Sequence, residues 1–153
     1  MLAGDHKAAM AIRKDANRLA KKLNGGDVGI LAGPDAPGNV LERETAAPDG
    51  TVPMWGQSGN FTVTVGKTPI RFEVDGMFGV CASTFVAPGF SIHAVEPDKP
   101  FPSETGYRSF LGYHPNIPPG MTVDQFCVAM VEAYVSGECQ GKLRAIKPEY
   151  QGR

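Results

Sequence analysis

The chain has 153 residues, of which 42% are hydrophobic and 20% charged, and its net charge is −1. This length suits one domain that buries about two thirds of its unfolded surface, and the composition excludes wholesale disorder. No apolar run approaches the roughly 20 residues that span a bilayer, and no secretory signal is visible at the N-terminus. The three cysteines are odd in number and form no Cys-x-x-Cys pair. We therefore expect a cytoplasmic protein without a membrane segment or a disulfide framework.

The charge is distributed unevenly along the chain. Residues 1–23 carry +4, residues 142–153 carry +3 and the residues between them carry −8. Such asymmetry can mark a nucleic-acid contact. The bases are few, however, and the pI is near 6.3, so basic termini that fold onto an acidic body are favoured. Nucleic acid stays a possible partner, while a protein or an anionic ligand is the favoured one.

The first element is a predicted helix over residues 5–23, where apolar residues recur at spacings of three and four. Asn24-Gly25-Gly26 ends it. Because the apolar stripe is mostly alanine, we expect this helix to pack closely on a sheet. Residues 24–60 contain eight glycines and four prolines and are interpreted as a long, turn-rich loop, for which mobility is one interpretation. Trp55, the only tryptophan, would anchor this loop to the body or line a pocket.

Residues 61–96 carry the β signal. Apolar residues alternate with period two in Phe61–Val65 and Ile70–Val74, which predicts two half-buried strands. Asp75-Gly76 favours a type I′ turn, so a third strand over residues 77–86 is expected to run back antiparallel. A fourth strand is predicted over residues 90–96, after the Pro88-Gly89 turn.

Residues 97–120 hold six of the thirteen prolines and predict a stiff, ordered loop. Thr122 and Gln125 form a capping box that begins a second helix, which closes at Ser136-Gly137. One face of this helix is apolar and is expected to be buried against the sheet: Val123, Phe126, Cys127, Met130, Val131 and Tyr134. A helix, about four strands and a helix without alternation predict a single α+β domain, in which an antiparallel meander over residues 61–96 packs against an N-terminal and a C-terminal helix.

Known catalytic and cofactor motifs do not fit. Gly66-Lys67-Thr68 imitates the end of a phosphate-binding loop, but the upstream glycine is missing and Pro69 follows. No closely spaced histidine and cysteine cluster indicates a metal site, so no metal and no cofactor are expected. Possible nucleophiles are Ser103, Ser109 and Cys81, with His93 or His114 as bases, but no nucleophile-elbow pattern accompanies them.

The segment Ser103–Ser109 is the best candidate site. Arg108 offers a planar fork for a carboxylate or phosphate, and Tyr107 offers a flat face with a hydroxyl. Gly106 permits a positive-φ turn that would aim both side chains outward. Ser103, Thr105 and Ser109 would be supporting donors. The alternative is a purely structural role, in which an ion pair between Glu104 and Arg108 stabilises the closed conformation of the loop.

The leading hypothesis is a small binding protein without intrinsic catalysis, which engages a macromolecular partner or an anionic ligand through residues 101–114. The alternative is a cofactor-free hydrolase or transferase with a site in the same loop. Its candidate catalytic residues are Glu104, Tyr107, Arg108, His93 and His114.

Overall fold

The computed structural model describes residues 42–75, 89–111 and 118–152, together with ten positions between 11 and 26. A four-stranded antiparallel sheet and helical segments make up this part of the chain, which is an α+β arrangement. The predicted fold class is therefore confirmed at this level.

The sheet contains four strands in the order of the chain: β1 (Gly59–Val65), β2 (Thr68–Val74), β3 (Phe90–Ala94) and β4 (Tyr107–Phe110). β1 and β2 form a tight hairpin in which Val65 pairs with Thr68. Gly66 lies in its two-residue loop at a φ of 63°, a conformation that glycine adopts without strain. The first two predicted strands are confirmed, and each is two residues longer at its N-terminal end.

The predicted pairing of residues 77–86 with β2 is wrong. β2 is hydrogen bonded to β1 on one side and to β3 on the other, with Val74 opposite Phe90. The Asp75 N–H donates to the Gly89 carbonyl, 3.1 Å away, so residues 77–86 are not the strand that pairs with β2. Those residues lie outside the described part of the chain.

The fourth strand comes from the proline-rich segment. β4 pairs antiparallel with β3 and forms one edge of the sheet. The meander predicted over residues 61–96 therefore extends to residue 110. β4 has only four residues, too few for a clear alternating pattern, and this explains why it was interpreted as loop.

One face of the sheet is the inner face, which carries the core. Phenylalanines stack across neighbouring strands on it: the ring centroids of Phe61 and Phe72 are 5.2 Å apart, and those of Phe90 and Phe110 are 4.7 Å apart. The opposite, outer face carries polar side chains that are exposed or half-buried. This division follows from the two-residue period of a strand.

The helix α1 (Val123–Gly137) covers the inner face. Gln125 Oε1 accepts from the Thr122 N–H at 3.1 Å, and the predicted capping box is confirmed. Four residues of the predicted apolar face are buried: Val123, Phe126, Cys127 and Val131. Met130 and Tyr134 pack against the same core.

The described residues of the first predicted helix are helical at positions 11–12, 14–15, 18–19 and 21–22. Ile12 and Leu19 belong to its apolar stripe, yet they are 64% and 50% exposed. Packing of this helix on the sheet therefore stays a prediction.

Part of the predicted 24–60 loop is tied to the body. Residues 42–45 are helical, and the Gly50 N–H donates to the Asn60 carbonyl on the outer edge of β1. Trp55 Nε1 donates to the Met121 carbonyl at 2.8 Å, and its ring lies 5.5 Å from that of Phe126. Trp55 thus anchors this segment beside the start of α1. Among the described residues, no helix is long and apolar enough to cross a membrane.

Candidate functional site

The edge strand β4 divides the predicted site between the two faces of the sheet. Tyr107 and Ser109 lie opposite His93 and Ser91 on the outer face. Arg108 lies between them in sequence, and its guanidinium is on the inner side, over the ring of Tyr134. Tyr107 and Arg108 are both exposed, as expected, but they point in opposite directions.

His93 is the centre of a polar cluster on the outer face. Its Nε2 lies 3.2 Å from Glu73 Oε2 and 3.2 Å from Ser91 Oγ, and its ring meets Tyr107 edge-on at 5.1 Å. A serine–histidine–carboxylate relay uses both ring nitrogens, one for each partner. Here the two oxygens share one nitrogen, so this cluster does not form such a relay.

Arg108 is stacked on an aromatic ring. Its guanidinium carbon is 4.5 Å from the centroid of the Tyr134 ring, which is within the range of a cation–π interaction. The Tyr134 ring is itself packed edge-on against Phe110, 5.6 Å away. In the part of the chain that the structure describes, Arg108 has no carboxylate partner, so the ion pair with Glu104 that was the alternative interpretation is not formed.

Glu104 pairs with the C-terminal segment instead. Its carboxylate lies 2.9 Å from Lys147 Nζ and 3.8 Å from Arg144 Nη1. The hydrogen bond from Lys147 and the charge of that residue lower the pKa of Glu104. The backbone adds to this link, because the Lys147 N–H donates to the Glu104 carbonyl at 2.9 Å. Glu104 therefore holds the 103–106 turn against residues 144–147.

Arg144 is tied to the proline-rich segment by a backbone bridge. Its N–H and carbonyl exchange two hydrogen bonds with Phe101, at 2.9 and 2.8 Å, and Phe101 is fully buried. Burial raises the pKa of the Tyr134 hydroxyl, while the positive charges of Arg108 and Arg144 both act to lower it. Two guanidinium groups thus lie in electrostatic range of the same phenol.

Ser103 and Thr105 are occupied by the backbone. The Ser103 hydroxyl donates to the Tyr107 carbonyl at 2.6 Å, and the Thr105 hydroxyl donates to the same oxygen at 3.0 Å. A hydroxyl has a single proton to donate. In this conformation neither side chain has a proton left for an anion.

Gly106 adopts the predicted positive φ, at 70°. A Cβ at this position would meet Ile146 Cδ1 at 3.3 Å and Ala94 Cβ at 3.5 Å. Gly106 therefore permits the turn before β4 and also the close approach of Ile146 to Ala94 on β3.

The remaining candidates are dispersed. Cys127 is buried in the core as expected, and burial raises the pKa of its thiol to about 12. His114 and Cys81 lie outside the described residues. The proposed catalytic set does not converge: Glu104 is at the turn, His93 and Tyr107 are on the outer face, and Arg108 is on the inner side.

No cluster of three or more potential metal ligands occurs among the described side chains. An open cleft of about 570 Å³ lies elsewhere, between the β1–β2 turn and the second half of α1. Val65, Lys67, Val131 and Leu143 contribute to its lining, as does Pro102 from the proline-rich segment. Arg108, Tyr134 and Arg144 do not line this cleft.

Sequence reasoning missed Tyr134, Arg144 and Lys147 as parts of this region. Tyr134 was assigned to the apolar face of α1, and the two bases were counted only as C-terminal charge. No local pattern relates residue 108 to residue 144, because the Phe101–Arg144 bridge that brings them together is a long-range pairing.

Comparison with known proteins gives one family. The family profile described as "KlcB third domain" matches residues 58–149. The chain is 41% identical over 113 residues to a protein of Escherichia coli named "Protein KlcB", and 36% identical over 137 residues to a second Escherichia coli protein of that name. These matches cover 73% and 89% of this chain but only 23% and 32% of the relatives, so the chain spans less than a third of their length. No solved structure gives a significant match.

Proposed function

The chain belongs to the KlcB third-domain family, and from this premise we propose that it is a recognition domain that binds an anionic group through Arg108 and Arg144. The observation that carries the proposal is the Arg108 guanidinium, which lies 4.5 Å from the centroid of the Tyr134 ring without a carboxylate partner among the described residues. The positive charge of Arg144 acts on the same phenol. Guanidinium groups present paired N–H donors that match a carboxylate or a phosphate.

The charge balance around the two arginines supports this role. Glu104 is the carboxylate paired with Arg144, and it is closer to Lys147 than to Arg144, at 2.9 against 3.8 Å. Stacking on Tyr134 orients Arg108 without neutralising it, because a phenol ring that keeps its proton carries no charge. An incoming anion therefore meets at least one guanidinium that has no anionic partner among the described residues.

The attachment of the two arginines to ordered parts of the fold also supports recognition. Arg108 is held by the Tyr134 ring, and Arg144 starts from a backbone bridged to buried Phe101. Binding costs less entropy when the donors are already ordered. Catalysis is not part of the proposal, because the polar groups that the alternative hypothesis needs are on different faces.

The test is a titration with inorganic phosphate and with citrate, followed by NMR of the arginine side chains and the backbone amides. We expect saturable binding of at least one anion. Arg108→Ala and Arg144→Ala should each weaken it at least about tenfold, since a hydrogen bond to a charged group contributes about 1.5–3 kcal/mol.

Arg71→Ala is the matched control. Arg71 is an exposed arginine on the outer face of the same sheet, opposite His93. If Arg71→Ala weakens binding as much as Arg108→Ala does, the attraction is a general effect of charge and the proposed site is wrong. Failure of both anions to saturate the protein would also contradict it.

A further inference from the structure

The edge strand β4 has a backbone position that the domain does not use. The Ala94 N–H donates to the Gly106 carbonyl at 2.8 Å, which makes Gly106 a hydrogen-bonded partner of β3. Such pairs alternate along an antiparallel ladder, so Arg108 and Phe110 also turn their backbone groups to β3. Tyr107 and Ser109 consequently direct their N–H and carbonyl groups away from the sheet.

The chain itself caps the first of these two outward positions. The Tyr107 carbonyl accepts from Ser103 and Thr105, and the Tyr107 N–H donates to Thr105 Oγ1 at 3.3 Å. Ser109 receives no comparable cap from any described residue. Unpaired edge groups are a template for another strand, and the 103–105 turn limits that template to the C-terminal part of β4.

Exposed apolar side chains accompany the free backbone groups. Tyr107 is 47% exposed, and Leu111, the residue after β4, is 66% exposed. Leu111 leans on the start of β3, where its Cδ2 is 3.1 Å from the position that a Cβ would take at Gly89. Alternate positions 107, 109 and 111 thus present an aromatic, a small polar and an aliphatic side chain along one edge, the pattern by which added strands are recognised.

The positive charge beside this edge favours an acidic partner. Arg108 lies between Tyr107 and Ser109 in sequence, and its guanidinium is on the inner side of β4 over the Tyr134 ring. Arg144 lies 3.8 Å from Glu104, in the turn that leads into β4. A strand added next to Ser109 would pass beside these guanidinium groups. Complementary charge favours carboxylates in that strand.

From these four observations we propose that the β4 edge binds an extended, acidic segment of a partner protein, which joins the sheet as a fifth strand. This inference rests on the proposed function and specifies its ligand: the anionic group is a carboxylate of that segment. Backbone pairing at Ser109 supplies the alignment, and Arg108 and Arg144 supply the preference for acidic side chains.

A synthetic ten-residue peptide of alternating valine and glutamate is the probe. We expect saturable binding, with amide shifts concentrated at Ser109 and Leu111. Ser109→Pro removes an N–H that the sheet does not use and should weaken binding at least about tenfold, because proline on an edge strand is tolerated by the fold but cannot donate.

Thr62→Pro is the matched control on the other edge. The Asn60 carbonyl accepts from Gly50 outside the sheet, so Thr62, two residues later on β1, also directs its backbone outward. This variant should bind the peptide as the wild type does. Equal loss in Thr62→Pro, or unchanged binding to Ser109→Pro, would overturn the inference.

A modified probe makes the test independent of how the variants fold. The same peptide with an N-methyl group on every residue keeps its charge but has no backbone N–H left to pair as a strand on either edge, and it should bind the wild type at least about tenfold more weakly. Equal binding of the methylated peptide would overturn strand addition.

The remaining outcomes separate this inference from the proposed function. Binding of phosphate or citrate without binding of the peptide would overturn the fifth strand and leave the arginine site intact. Tighter, Arg108-dependent binding of a ten-nucleotide oligothymidylate than of the peptide would overturn the protein partner in favour of nucleic acid.

Discussion

Ser103 donates its hydroxyl proton to the Tyr107 carbonyl at 2.6 Å, across a turn of four residues. Thr105 donates to the same oxygen at 3.0 Å. The two hydroxyls close the first outward-facing position of the edge strand, and so the turn that leads into β4 also limits where another strand can pair with it.

Removal of these two hydroxyls should give non-additive losses of stability. Ser103→Ala and Thr105→Ala should each cost about 0.5–1.5 kcal/mol, while the double variant should cost more than the sum, because only then does the Tyr107 carbonyl lose both donors. Urea unfolding of the three variants measures this coupling. Strict additivity would show that the two hydroxyls do not substitute for each other.

The same variants test whether the hydroxyls bind the ligand. Since both protons are directed to Tyr107, the affinity for phosphate or citrate should change less than about threefold in Thr105→Ala, an effect below the roughly 1.4 kcal/mol of a tenfold change. A loss as large as that of Arg108→Ala would return Thr105 to the predicted ligand-binding set.

Gly106→Ala should destabilise the fold more than Gly66→Ala. Both glycines have a positive φ, 70° and 63°, and an L-residue in that region costs about 1–2 kcal/mol. Only Gly106 adds crowding, against Ile146 and Ala94, whereas a Cβ at Gly66 meets nothing within 4 Å. Equal free energies of unfolding for the two variants would mean that Ile146 and Ala94 move aside without a cost in free energy.

The ion pair between Glu104 and Lys147 should make stability depend on pH. Lys147 lowers the pKa of Glu104 in the folded state, so the carboxylate contributes stability at pH values above its unfolded pKa of about 4.5. That contribution is lost as the pH falls through the folded pKa. Glu104→Gln should therefore unfold at lower urea than the wild type at pH 7, and the difference should shrink as the pH is lowered below about 4.

The control for this variant is Glu132→Gln, which changes an exposed carboxylate with no ion pair among the described residues. Its effect on the urea midpoint at pH 7 should be smaller than that of Glu104→Gln. A Glu104→Gln midpoint equal to the wild type at pH 7 would show that the ion pair adds nothing measurable, as is common for exposed pairs.

Cys127 should resist thiol reagents until the protein unfolds. Burial raises the pKa of its thiol to about 12, and the thiolate is the reactive form. At pH 8, labelling with iodoacetamide followed by peptide mass spectrometry should find Cys127 unmodified in the native protein and modified in urea. Rapid native labelling of Cys127 would indicate that α1 opens readily.

The elements that the sequence predicts well are those with a strong local pattern. Three alternating apolar residues determine the inner face of each of β1 and β2, and the capping box determines where α1 begins. The burial of Cys127 follows from its place on the apolar face of α1. These features depend on neighbours within a few residues, so one sequence is enough to predict them.

The candidate site was predicted only in part for the opposite reason. Arg108 and Tyr107 were chosen by residue type, but the face that each occupies depends on whether residues 107–110 form a strand. That strand forms because residues 107–110 pair with β3, with Ile92 opposite Arg108. Four residues are too few for an alternating pattern that would predict the strand from the sequence.

The sequence by itself thus determined the chemistry available to this protein: a guanidinium on a stiff segment, a glycine that permits the turn, and a core of alternating phenylalanines. Only the tertiary structure decided the arrangement of those groups. Strand pairing placed Tyr107 and Arg108 on opposite faces, and the bridge between Phe101 and Arg144 tied a second arginine to the segment that leads into β4. Both arrangements depend on backbone hydrogen bonds between residues that are distant in sequence, and the local pattern of residues does not predict such bonds.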